Sequence, residues 1–255
     1  MIGGRLVLTP QWLIPDWPAP PGVRALSTLR GGGLSEAPYA SLNLGDHVGD
    51  TAAAVTENRR ALRAAAGLPA EPVWLQQVHG ICAHDLDSSP VGPADAAITA
   101  QPHRICAILT ADCLPILLAT HSGAPRVGAL HAGWRGLAAG VIEATLSALG
   151  APPSTLLAWL GPALGPCHFE IGAQVREALL AGDPGAEAAF VANARGRFMA
   201  DLYALARRRL QSLGVQRIYG GGECTYSNPD KYFSYRRDGR TGRQAALIWL
   251  DRTDN

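Results

Sequence analysis

The amino-acid sequence predicts an α+β fold, with mixed β-sheets forming a sandwich-like core flanked by helices, in a single domain over residues 1–255. Three observations predict it. Apolar runs of strand length outnumber helical patterns. Several neighbouring runs are joined by connections too short to hold a helix, which argues against a purely doubly wound parallel sheet. No stretch has linker composition, a fixed repeat or a long charge block.

The expected strands lie at 25–29, 73–78, 96–99, 105–110, 116–119, 127–131, 156–160, 215–219 and 245–250. Each is a short apolar run bounded by turn residues. Three helices carry punctuation: one from Asp50 or Thr51 to Ala66 stops at Gly67, one over 136–149 stops at Gly150, and one over 201–213 stops at Gly214. In the last, Leu202, Leu205, Leu210 and Leu213 share one stripe, the pattern of a helix lying on a core. A shorter helix is expected over 173–180, and the Pro-rich piece over 15–21 reads as a surface excursion.

Composition narrows the function. A formal charge of +1, with acidic and basic residues interspersed, gives no basic stripe for a phosphate backbone, so nucleic acid is not expected as a partner. Lys231 is the one lysine among 22 basic residues. The most apolar stretch, 105–119, holds Asp112 and Pro115 and is shorter than the roughly 20 residues of a membrane span, so no membrane is expected either. Residues 1–10 lack the pattern of a secretory leader. Five scattered cysteines, an odd number in a chain this long, read as reduced thiols in a cytoplasmic protein.

The chemistry concentrates where reactive side chains follow apolar strands: Gln76-Gln77-Val78-His79-Gly80, Thr110-Ala111-Asp112-Cys113-Leu114-Pro115 and His131-Ala132-Gly133-Trp134-Arg135-Gly136. Two imidazoles and a thiolate suit zinc, and three protein ligands with an open fourth position is the catalytic pattern. The separations match no short zinc-finger motif, so convergence of the three is an expectation about folding. Singly, His79, Cys113 and His131 read as well as a loop histidine, a buried thiol and a core histidine.

These three segments resemble the signature segments of the multicopper polyphenol oxidoreductase, or laccase-domain, family, whose members are regarded as purine nucleoside phosphorylases. The resemblance extends to Arg30-Gly31-Gly32-Gly33-Leu34-Ser35, Tyr39-Ala40-Ser41-Leu42-Asn43-Leu44-Gly45, Gly161-Pro162 through Phe169-Glu170-Ile171-Gly172, Phe233-Ser234-Tyr235-Arg236-Arg237-Asp238 and Gly242-Arg243-Gln244. It implies the laccase-domain fold, with its likeness to cysteine hydrolases, His79, Cys113 and His131 as metal ligands and catalytic residues, and one zinc per chain. A blue-copper site would want an axial Met, and the only methionines, Met1 and Met199, lie outside the signature segments; copper is the alternative metal. Ala163 stands where many relatives carry a cysteine.

The resemblance further implies phosphorolysis of adenosine, inosine, guanosine and methylthioadenosine, and deamination of adenosine. Asp112 is the candidate acid/base group, or equally a carboxylate capping the turn around Pro115. For phosphate, Arg30 rims a possible nest of glycine N–H groups and Arg135 opens a helix; Asn43, Phe233, Tyr235 and Trp134 are candidates for ribose and purine. Cys167 is a possible second thiol. Two competing readings remain: a cysteine hydrolase with Cys113 as nucleophile, acting in peptidoglycan precursor editing, and a copper-dependent phenol oxidase. The chain is expected to be a monomer or a weak homo-oligomer.

Overall fold

The computed structural model describes residues 10–88 and 92–251. The leader reading of the first ten residues therefore falls outside the described residues up to position 9. Two mixed sheets form the core. In one, five strands lie in the spatial order Trp12–Leu13, Val23–Thr28, Gln244–Leu250, Ile105–Thr110 and Val73–Trp74. In the other, six strands run Arg217–Gly220, Leu156–Leu160, Leu114–Thr120, Val127–Ala132, Ala96–Thr99 and Ala83–Asp85. Most pairings are antiparallel, and the parallel ones, such as Val73–Trp74 on Ile105–Thr110, fall at the sheet edges.

The period of two along these strands sorts side chains between layers. Cys106, Ile108, Ala246 and Ile248 point from the five-stranded sheet onto Leu117, Ala119, Ala129 and Trp159 of the six-stranded one, making a dry seam between the sheets. Their neighbours Ile105, Ala107, Leu109, Ala245 and Leu247 face the opposite way, onto Leu62 of the helix Ala52–Ala65 and the buried Leu42 and Leu44. On the far side of the six-stranded sheet, Ile116, Leu118 and Leu130 pack against helices Val141–Leu149 and Leu202–Ser212. Each fully buried aliphatic side chain contributes roughly 1.5–3 kcal/mol. Because both faces of both sheets are covered, the strands read as continuous apolar runs rather than alternating ones. No helix among the described residues is long and apolar enough to cross a membrane.

The expected sandwich with outer helices is what forms, with local corrections, among them shifts of two residues at the starts of Val23–Thr28 and Arg217–Gly220. The helix expected over 136–149 is two, Trp134–Ala139 and Val141–Leu149, because Gly140 adopts φ 100° and closes the first helix by donating to Gly136 O. The strand expected over 73–78 ends at Trp74, and its last part becomes a site loop. Leu114–Thr120 begins two residues earlier than expected and includes Pro115. A small sheet of Glu170–Ile171, Phe198–Ala200 and Phe190–Ala192, too short to read from pattern, flanks the core. The five cysteines are all free.

Candidate metal and catalytic centre

The three reactive segments converge because the two sheets bring their strand ends together. After Trp74 the backbone leaves the five-stranded sheet, and the Gln77 side chain continues the ladder in its place: Nε2 donates to Leu109 O (2.9 Å) and Oε1 accepts from Leu109 N (2.8 Å). That anchor delivers the 78–80 turn, in which His79 takes φ 59°, an uncommon conformation for a non-glycine residue and one found at sites the surroundings over-determine. Cys113 ends the tight turn between Ile105–Thr110 and Leu114–Thr120. His131 sits near the end of Val127–Ala132, opposite Pro115.

Glycines make room for the convergence. A Cβ on Gly133 would lie 3.0 Å from Cys113 Sγ and 3.3 Å from His79 Cδ2, and one on Gly136 would lie 3.1 Å from Gly80 O. With those positions bare, one donor atom from each of His79, Cys113 and His131 lies within 4.8 Å of the others, the one such three-residue group among the described residues. The two imidazoles meet edge to face with centroids 4.7 Å apart.

Beneath them lies Asp95, which pattern reading passed over. It has no exposed surface, its Oδ1 is 2.8 Å from His131 Nδ1, and it accepts from the backbone N–H groups of Val78 (3.1 Å), His79 (2.9 Å) and Gly80 (2.6 Å). Burial alone would raise its carboxyl, but the bonds from His131 and the turn outweigh burial and hold it below the ordinary carboxylate range. Burial likewise pushes the Cys113 thiol up, yet His131 and His79 overcome this and bring it down to about 6. Burial pushes His131 down, while the Cys113 thiolate and Asp95 lift it to about 9. The centre thus favours a thiolate beside an imidazolium, and the thiolate is the form that binds a metal or attacks a carbon. The available signal for Asp95 was a carboxylate between Ala94 and Ala96 at the start of an apolar strand, where an unpaired charge is costly.

The triad forms the floor of a cavity of about 410 Å³, whose wall includes Trp134, Arg135, Phe169, Tyr235, Arg236 and Arg243. Arg243 is held from behind: its N–H donates to Asn43 Oδ1 (2.9 Å) and its Nη1 donates to Thr241 O (3.0 Å) and Gly242 O (2.9 Å). Arg236 Nη1 donates to His168 O (3.1 Å) and Glu170 O (3.2 Å), and the Arg135 guanidinium lies 4.4 Å from the Trp134 ring centroid. The buried Thr110 hydroxyl also lines the cavity and has no hydrogen-bond partner among the described residues.

The other expected site residues fall differently. Asp112 lines the cavity at φ 93°, and both its oxygens are engaged: Oδ1 accepts from Thr225 Oγ1 and Oδ2 from Arg236 N, each at 2.6 Å. Arg30 lies outside the cavity lining; its Nε donates to Ala40 O (3.1 Å), its Nη1 to Pro229 O (2.7 Å), and it stacks on the fully buried Phe233. The glycine run beside it is not an open nest, since Gly33 N donates to Ser41 Oγ and Leu34 N to Asn58 Oδ1. Asn43 is fully buried and reaches the cavity only through Arg243. Cys167 is exposed and lies outside the lining.

Fold and site together define an α+β protein with two core sheets and, among the described residues, one His–Cys–His centre where three strand ends meet. A profile of the family described as multi-copper polyphenol oxidoreductase laccase matches residues 24–251. The chain belongs to this family. It is 55% identical over 240 residues to a Pseudomonas aeruginosa protein named purine nucleoside phosphorylase PA4543, covering 94% of this chain and 98% of that one. It is 51% identical to purine nucleoside phosphorylase YfiH of Escherichia coli K12, covering 93% and 98%. Among solved structures, the Neisseria meningitidis protein NMB0706 superposes with a TM-score of 0.89 at 46% identity, over 94% of this chain and 99% of that one. YlmD from Geobacillus stearothermophilus superposes at 0.88 with 32% identity, over 94% and 96%.

Proposed function

We propose that this chain is a purine nucleoside phosphorylase, acting on adenosine, inosine, guanosine and methylthioadenosine, with one zinc ion held by His79, Cys113 and His131. The observation that carries the reading is the triad on the floor of a cavity walled by Arg135, Arg236 and Arg243, a soft-donor cluster beside a cationic wall. The names of the relatives support the phosphorylase class of this reading.

The donor set fits zinc. Two nitrogens and a thiolate are its preferred ligands, and Asp95 on Nδ1 directs Nε2 of His131 to the site, where a metal would take the place of the second ring proton, the carboxylate–histidine arrangement typical of metal centres. Copper fits less well, since Met199, the one described methionine, lies in a strand away from the cavity. A zinc ion held there supplies Lewis-acid polarisation of a substrate oxygen.

In phosphorolysis a phosphate oxygen forms a bond to C1′ of the ribose while the C1′–N9 bond breaks, its electron pair leaving with the purine, which then takes a proton. Arg243, Arg236 and Arg135 neutralise the incoming phosphate, and Tyr235 and Trp134 offer ring faces to the base. Deamination of adenosine needs a group free to pass a proton beside a nucleophilic water. Asp112, the candidate for it, already has a donor on each oxygen, so phosphorolysis is the activity these residues favour.

One observation supports a second reading. Cys113, His131 and Asp95 stand in the order nucleophile, base and orienting carboxylate, the constellation of a cysteine hydrolase of the kind invoked for peptidoglycan precursor editing. Incubation of purified protein with adenosine, with and without phosphate, tests the main reading. Adenine and ribose 1-phosphate formed only with phosphate support it. Inosine at equal rates in both would make the activity deamination, and untouched adenosine would favour the hydrolase.

A further inference from the structure

We propose that Asp95 is the positioning residue of this centre: one carboxylate fixes both the 78–80 turn and the His131 ring so that the two histidines face Cys113. The proposal rests on the reading of the triad as a metal site. Its geometry divides into two arms. Oδ1 takes His79 N–H and His131 Nδ1, and Oδ2 takes Val78 N–H and Gly80 N–H. Asp95 is itself fixed by the backbone, donating from N to Cys82 O (3.0 Å) and accepting at its carbonyl from His131 N (2.7 Å). His79 and His131 reach the site from segments 52 residues apart in sequence, and this side chain is a hydrogen-bonded link between the His79 backbone and the His131 ring.

Four donors converge on two oxygens, so only an acceptor-only group of this length satisfies them all. An isosteric amide cannot. With its oxygen toward His79 and His131, its NH2 meets the Val78 and Gly80 N–H groups and releases the turn. Flipped, its NH2 meets His131 Nδ1 and His79 N–H, and His131 must carry its proton on Nε2, the atom meant for the metal. Either orientation breaks one arm. That is the physical reason for burying a charge here, where a neutral cap would cost less desolvation.

The test compares Asp95→Asn with the unsubstituted protein, both metal-free, by amide hydrogen exchange at residues 78–80 and by zinc titration against a competing chelator. A cooperative thermal melt first establishes that the variant folds. The expected result is exchange at 78–80 faster by about tenfold or more, with zinc affinity lower by about ten- to hundredfold. A zinc affinity within about twofold of the unsubstituted protein overturns the positioning role, because a purely structural brace would change exchange alone. Unchanged exchange overturns the brace. If the unsubstituted protein takes up no zinc, the metal reading fails, and exchange still decides whether Asp95 holds the turn. If Asp95→Asn does not fold, the unsubstituted protein decides: these three amides are expected to exchange as slowly as those of Ile105–Thr110, and exchange at the rate of exposed loop amides contradicts the proposal.

Discussion

The floor and the wall of the cavity are built on opposite plans. The floor is braced by hydrogen bonds: His131 is 3% exposed over the fully buried Asp95, the exposed His79 is held through its turn by the same carboxylate, and the Cys113 turn is held through Asp112 by Thr225 and Arg236. The wall carries long cationic side chains among its aromatic rings, of which Arg135 and Arg236 are exposed and Arg243 is half-buried. A metal tolerates little displacement of its ligands, so their geometry has to exist before substrate arrives. A phosphate is matched by charge and several donors, which exposed side chains supply as well as buried ones. On the proposed function, substitutions in the floor are expected to act on metal retention, and those in the wall on substrate concentration dependence.

That contrast can be broken at several points. The largest effect is expected for His131→Ala, which removes a ligand and leaves Asp95 without its ring partner; turnover falls by about 10³-fold, measured as adenine release. Arg243→Ala keeps zinc and raises the phosphate KM roughly ten- to hundredfold, the loss of a charge-assisted contact; loss of zinc in this variant would erase the distinction between floor and wall. Arg135→Ala follows in the same direction with a smaller effect, and equal damage to phosphate-dependent and phosphate-independent activity would make Arg135 structural. Asn43→Ala sharpens the comparison from outside the cavity. It strands the Gly45 and Arg243 N–H groups, lowering stability by roughly 1–3 kcal/mol in a denaturant melt, and shifts the phosphate KM less than Arg243→Ala does. Gly133→Ala is the mildest: its φ of −68° suits alanine, but the new methyl presses on Cys113 and His79 and weakens zinc binding by about fivefold, a cost of about 1 kcal/mol.

The two regions also differ in how readily the sequence displays them. His79, Cys113 and His131 stood out because they are reactive residue types placed directly after apolar strands, and the fold brings those strand ends together. The sheets were legible for a related reason: strands such as Ile105–Thr110 and Leu156–Leu160 are apolar on both faces, and their bounds follow the apolar run. Asp95 was passed over because its importance lies in three backbone donors and one ring, none of which a sequence pattern displays. Arg30 drew attention through its glycines, yet its guanidinium binds the carbonyls of Ala40 and Pro229, a use set by tertiary contacts. Arg243 stood in a recognised segment with no role assigned, since only the packing of Asn43 and Gly45 behind it turns it toward the cavity. The break at Gly140 was hidden because glycine at the end of one helix and the start of the next leaves the apolar stripe continuous.

The measurement that bears most directly on the floor as a metal centre is elemental analysis of freshly purified protein alongside Cys113→Ala. One zinc per chain in the unsubstituted protein and none in the variant is the predicted result. Zinc retained after loss of the thiolate, or no metal in either protein, would contradict it.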